Sequence, residues 1–121
     1  MLTREAALAL ADAWIRAWNA HDLDAILSHY AEEVEFVSPF IVKLLGDPTG
    51  MVRGKAALGA YFARALAAYP DLRFEPIEVL TSVGSFVHYY RSVGGILAAE
   101  VMFVDEDGKI ARVVAHYGGT P

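Results

Sequence analysis

The sequence predicts an α+β fold: three helices in the first seventy residues, then an antiparallel strand meander. Three observations carry this expectation. Apolar residues recur at helical spacing in the first part of the chain. From residue 72 onward they alternate between turn signals, as strands do. Helices and strands are therefore segregated along the chain rather than alternating, and helices on one side let a sheet curl around them. No repeat, low-complexity tract or linker interrupts the pattern, so residues 1–121 read as one domain.

Thr3 is a helix cap, and Ala7, Leu10, Trp14 and Trp18 then share one helical face. Asn19-Ala20-His21 reads as a tight connection. Asp22 caps a shorter helix with apolar Leu23, Ile26, Leu27 and Tyr30. Val34 to Ser38 reads as a strand that Pro39 stops. Residues 40–53 are atypical: Phe40 to Leu45 is apolar apart from Lys43, and Gly46-Asp47-Pro48-Thr49-Gly50 breaks the chain. A long loop in a small domain is usually functional or disordered, so this segment is expected to be a lid or mouth rim. The competing expectation is that Phe40, Ile41 and Leu44 plug a cavity or extend an interface. Gly54 opens a third helix that buries Leu58, Tyr61, Phe62, Ala65, Leu66 and Tyr69, and Pro70-Asp71 closes it.

Strands are expected over Leu72–Leu80, with a bulge at Pro76, then Ser85–Val93, Ile96–Val104 and Lys109–Tyr117. Gly94-Gly95 and Asp105 to Gly108 are the turns between them.

Composition narrows the function. Hydrophobic residues make up 55% of the 121, and the mean hydropathy is +0.34. A subunit interface or an internal cavity has to absorb that much apolar surface. The net charge is −5 and the pI about 5.2, which argues against nucleic acid or an anionic membrane as partner. There is no cysteine, which excludes disulfides, thiolate nucleophiles and cysteine-based metal sites. Arg4, Glu5 and Asp12 are unlike a signal peptide, and no apolar run reaches the length of a membrane span; a cytoplasmic location is the default expectation.

Several stretches resemble the nuclear transport factor 2-like superfamily. Ala17-Trp18-Asn19-Ala20-His21-Asp22-Leu23-Asp24 is similar to its helix-turn-helix, and Tyr30 to Phe36 to its first strand. Arg53-Gly54-Lys55-Ala56-Ala57 resembles the start of its third helix. Ala99 to Phe103 with Asp107-Gly108-Lys109-Ile110 resembles its last hairpin. The order and spacing of these motifs cover nearly the whole chain, and the branch they resemble is that of the SnoaL-like polyketide cyclases and ketosteroid isomerases. The resemblance implies a cone-shaped barrel with an open mouth, and usually a dimer. It does not fix the activity.

The resemblance places Glu100 at a pocket carboxylate of the ketosteroid isomerases. Strand alternation sets Ala98 and Met102 on its face. With Gly94-Gly95 as a two-residue turn, Val87, Tyr89 and Arg91 join that face, with Tyr89 directly across from Glu100; a turn one residue longer sends His88 and Tyr90 inward instead. Val113, Ala115 and Tyr117 complete the face. Among apolar neighbours the Glu100 carboxyl loses solvation and its pKa rises, which suits a general acid or base; a nearby Arg91 would oppose the rise and make a structural pair.

Ketosteroid isomerases use an Asp base with an oxyanion hole of a Tyr and a protonated Asp. Here the base position matches Ser38 and the tyrosine position matches Trp14, so steroid isomerisation by that route is not expected. Epoxide hydrolases of the superfamily use an Arg and two Asp around a water; Arg91 and Glu100 could stand for two of these, but no second inward acid is evident. Aldol closure, as in the cyclases, needs one pocket acid or base, and Glu100 could serve.

Trp14, Trp18, Tyr30, Phe36, Phe62 and Tyr117 form an aromatic set able to line a cavity for a small apolar or aromatic ligand, or simply to pack a core. Ser38, Tyr89, Arg91 and Met102 complete the expected ligand-binding set. His21, His29, His88 and His116 have no metal-ligand spacing, with His88 and His116 expected outward, so no metal and no cofactor is called for. Two functions stay open: acid-base isomerase or cyclase chemistry on a carbonyl compound through Glu100, and a non-catalytic binding or interaction domain. A homodimer is expected through an apolar outer sheet face of Leu97, Ala99, Val101, Phe103, Ile110 and Val114.

Overall fold

The computed structural model describes residues 2–120. It is α+β, with four helices and a six-stranded sheet. Helix α1 (Arg4–Asn19) starts where the Thr3 hydroxyl accepts a hydrogen bond from the Ala6 amide. Its buried face carries Ala7, Ala11, Trp14, Ile15 and Trp18. His21, at a positive φ of 55°, turns the chain, and its Nε2 lies 2.8 Å from the Leu72 carbonyl oxygen. Helix α2 (Leu23–Leu27) is capped by Asp22, which accepts from the Ala25 amide.

Strand β1 (Tyr30–Val37) begins four residues earlier than the apolar run suggests, so Tyr30 belongs to the sheet and not to α2. Residues 39–45 are not a loop but helix α3 (Pro39–Leu45). Ser38 caps it, Pro39 sits where a missing N–H costs nothing, and Gly46 ends it at φ 68°. Strand β2 (Met51–Arg53) folds back on β1. Gly54 then starts helix α4 (Lys55–Ala68) at φ 85° and ψ 150°, a conformation open essentially to glycine alone.

Strands β3 (Glu75–Thr81), β4 (Ser85–Arg91), β5 (Leu97–Val104) and β6 (Ile110–Tyr117) form the meander. The sheet order is β2-β1-β6-β5-β4-β3, with β1 parallel to β6 and every other pair antiparallel. The expected bulge is present between Pro76 and Glu78. The sheet stays open between its edges β2 and β3, and helices α1 and α4 pack against it. No helix among the described residues is long and apolar enough to cross a membrane.

Two register details correct the sequence reading. Residues 92–96 form a longer turn than Gly94-Gly95 alone, so Arg91 pairs with Leu97, Tyr90 with Ala98 and His88 with Glu100. His88 and Tyr90 therefore face inward beside Glu100, while Tyr89 and Arg91 lie on the opposite face; a slip of one residue exchanges the two faces of a strand. A shift between Phe103 and Val104 likewise changes the parity of β6, so Ile110 is fully buried and leaves the outer set.

Candidate functional site

The inner face of the sheet and the buried faces of α1 and α4 enclose an aromatic pocket. Of the residues expected there, Trp14, Trp18, Phe36, Phe62, Tyr117 and Glu100 line it. Tyr30, Ser38 and Met102 are buried in the core and are not among the lining residues. Tyr89 is half-buried on the outer face; Arg91 is exposed, and its guanidinium donates to the Gly95 carbonyl rather than to Glu100. Among the described residues, the ion pairs are Arg16–Asp12 and Arg53–Glu35, neither of which touches Glu100.

Glu100 is 3% exposed. The Tyr90 hydroxyl donates to its Oε2, and its Oε1 has no hydrogen-bond partner. Burial pushes its pKa up to about 7, and the Tyr90 hydrogen bond limits the rise. The phenols of Tyr90, Tyr117 and Tyr61 are held well above their usual range, chiefly by burial and also by the Glu100 charge. They therefore remain O–H donors at neutral pH. Tyr90, Tyr117 and Tyr61 line the same pocket as Glu100. Ser38 is tied locally, accepting from the Phe40 amide at 3.1 Å.

His88 is 1% exposed with no partner at Nδ1, and its ring meets the edge of Trp14 at 5.0 Å. Burial lowers its pKa to about 4, so it is neutral in the fold. The expectation that it points outward fails with the hairpin register; His116 does lie outward. Among the described residues, no cluster of three His, Asp or Glu side chains has the form of a metal site.

The two tryptophans differ in their hydrogen bonding. Trp14 donates its indole N–H to the Tyr30 hydroxyl at 2.8 Å. The Trp18 N–H is buried with no partner.

Sequence reasoning missed Phe74 and Tyr61 as pocket residues, and held Tyr90 and Phe40 only as alternatives. For Tyr90 the signal was present, since the alternative turn length places it inward. Tyr61 was read only as helix packing. Phe40 reaches the pocket from α3 and meets Tyr117 edge-on at 4.8 Å, so the cavity-plug expectation describes it better than a loop does. The pocket shares Tyr69, Leu72, Ser92 and Val93 with an adjoining surface groove between the α4–β3 connection and the β4–β5 turn. No residue of 40–53 lines that groove. The pocket holds about 40 Å³, room for a few water molecules, so a larger ligand has to displace wall side chains.

The fold, an open sheet over helices, is matched by known proteins. The SnoaL-like domain model matches residues 11–113. The chain belongs to the SnoaL-like family. A SnoaL-like protein of unknown function from Burkholderia thailandensis is 47% identical, covers 98% of both chains and superposes with a TM-score of 0.93. The fold is shared by a putative isomerase of the SnoaL-like family from Agrobacterium tumefaciens, at 19% identity, 95% of this chain, 99% of that one and a TM-score of 0.74. It is shared too by SalBIII, an epoxide hydrolase/cyclase-like enzyme with a role in pyran ring formation in the polyether salinomycin. There the identity is 20%, the coverage 99% and 96%, and the TM-score 0.78. No curated protein matches the chain in sequence.

Proposed function

We propose that this SnoaL-like protein performs acid-base chemistry, isomerisation or ring closure, on a small apolar carbonyl compound through Glu100. The observation that supports this best is a buried carboxyl without a cation, one oxygen held by Tyr90 and the other unpartnered, on the wall of an aromatic pocket. A structural carboxylate would be expected to have its charge paired; Glu100 has instead a pKa near neutrality, where a group both takes and returns protons efficiently. Ionised Glu100 would take a proton from the carbon beside the carbonyl, the C–H electron pair would become the C=C bond of an enolate as the carbonyl π pair moves onto oxygen, and the carboxylic acid would return the proton at the same or another carbon as the C=O bond re-forms. The phenols of Tyr117 and Tyr61 in the same pocket offer donors for the oxygen that becomes negative.

Deuterium exchange into the methyl group of acetophenone in heavy water, followed by NMR, tests the reading. Catalysed exchange should rise with pH as Glu100 ionises and level off above a midpoint of about 7. No exchange above the buffer rate, or a rate independent of pH across that range, would favour the alternative of a non-catalytic binding domain.

We also propose a homodimer through the outer sheet face. Leu97, Ala99, Val101 and Val114 are only half-buried there, and Phe103 is 39% exposed. A sheet face that met water on its own would be polar. Light scattering at micromolar concentration should give twice the mass of one chain, and the mass of a single chain would refute it.

A further inference from the structure

The pocket contains a second polar group that the acid-base reading does not use. Trp18 lines the pocket from helix α1, while Glu100 lines it from strand β5 in the facing sheet. Trp18 is 5% exposed, and its indole N–H, a group that can only donate, has no acceptor. Its ring packs edge-on against Phe62 at 4.8 Å and at a tilt against Phe74 at 5.4 Å. Trp14, one helical turn earlier, lacks this freedom because Tyr30 takes its N–H.

A buried donor without an acceptor is costly, and buried polar groups are normally satisfied. We propose that Trp18 anchors the substrate, and that the ligand carries a second acceptor oxygen across an apolar ring from the carbonyl that Glu100 acts on. This inference rests on the acid-base reading for the role of Glu100, but not for the role of Trp18. An acceptor at that end satisfies the indole N–H. An apolar group there leaves it orphaned, and a hydroxyl accepts from it only through an oxygen lone pair, with its own O–H left to find another acceptor. The site therefore selects ring compounds with two oxygens, a diketone or keto ester, over simple ketones. The pocket holds about 40 Å³, so such a ring enters by displacing aromatic wall side chains.

The test uses two probes of nearly the same shape, para-diacetylbenzene and para-isopropylacetophenone. The first has a second carbonyl where the second has an apolar branch. In an indole-labelled protein there are two tryptophan side-chain N–H resonances, one from Trp14 and one from Trp18. Diacetylbenzene should move the Trp18 resonance downfield and leave that of Trp14 in place, and isopropylacetophenone should produce no such downfield shift. The ratio of the two dissociation constants should change by about tenfold in Trp18→Phe, which keeps an aromatic ring but removes the donor. Because the ratio is taken within one protein, a general loss of stability in the variant does not alter it.

A Trp18 resonance unmoved by saturating diacetylbenzene, a ratio unchanged in Trp18→Phe, or no binding of either ketone at millimolar concentration would each overturn the assignment. Failure of the Glu100 reading would look different: the indole shift and the altered ratio would persist, with no exchange at the ketone methyl groups.

Discussion

Glu100→Gln is expected to lower catalysed proton exchange at a bound ketone by about two to four orders of magnitude, the usual contribution of a positioned acid or base. Below pH 4.5, where Glu100 is protonated, the thermal midpoint should barely change, and above pH 7 it should rise relative to wild type because the amide removes a buried charge. The amide has the shape of the carboxyl, and its oxygen still accepts from the Tyr90 hydroxyl. No cation is left unpaired, because Arg91 donates to the Gly95 carbonyl and not to Glu100. Exchange kinetics and a thermal melt on the same preparation check both halves. A variant that exchanges at the wild-type rate, or one that loses stability while binding acetophenone normally, would remove Glu100 from the chemistry.

Stability should respond to pH in opposite directions when His88 and Glu100 are changed separately. Glu100 has a folded pKa near 7 against 4.5 in the free chain, so its contribution is fully present below 4.5 and is lost as pH rises through 7. His88 has a folded pKa near 4 against 6.5, so its contribution is present above 6.5 and is lost as pH falls through 4. Between 4.5 and 6.5 the folded chain holds the Glu100 proton and the unfolded chain holds the His88 proton. These two contributions then cancel, and the pair adds almost no slope.

Glu100→Gln removes one side of that balance and should lose on the order of 3 kcal/mol, relative to wild type, on acidification across the His88 window. His88→Phe keeps an aromatic ring against Trp14 and should gain a similar amount relative to wild type as the pH falls across the Glu100 window. Urea denaturation at a series of pH values measures both slopes. Parallel curves for wild type and both variants would mean that neither group is perturbed in the fold.

Much of the architecture was legible because it rests on local chemistry. The caps at Thr3 and Asp22, the long helices, the bulge at Pro76 and the strand meander each follow from residue types acting over a few positions. Helix α3 was misread as a loop because it is only seven residues long, and its cap Ser38 was assigned to the preceding strand. Tyr30 was assigned to α2 because apolar spacing does not separate the end of a short helix from the start of a strand.

By itself the sequence determined the α+β class and placed Glu100 on a strand face with Ala98 and Met102, because side-chain alternation along one strand is a property of that strand alone. It also supplied half of the pocket's aromatic residues, Trp14, Trp18, Phe36, Phe62 and Tyr117. Only the tertiary structure decided that Tyr90 and His88, rather than Tyr89 and Arg91, stand beside Glu100. That choice depends on how residues 92–96 close the β4–β5 turn, and a difference of one residue there exchanges the two faces of the whole strand. The same closure keeps Arg91 away from the carboxyl and leaves Glu100 buried without a cation. Trp14 and Trp18 are likewise equivalent in sequence, and become different only because Tyr30, from β1, reaches one indole N–H and not the other.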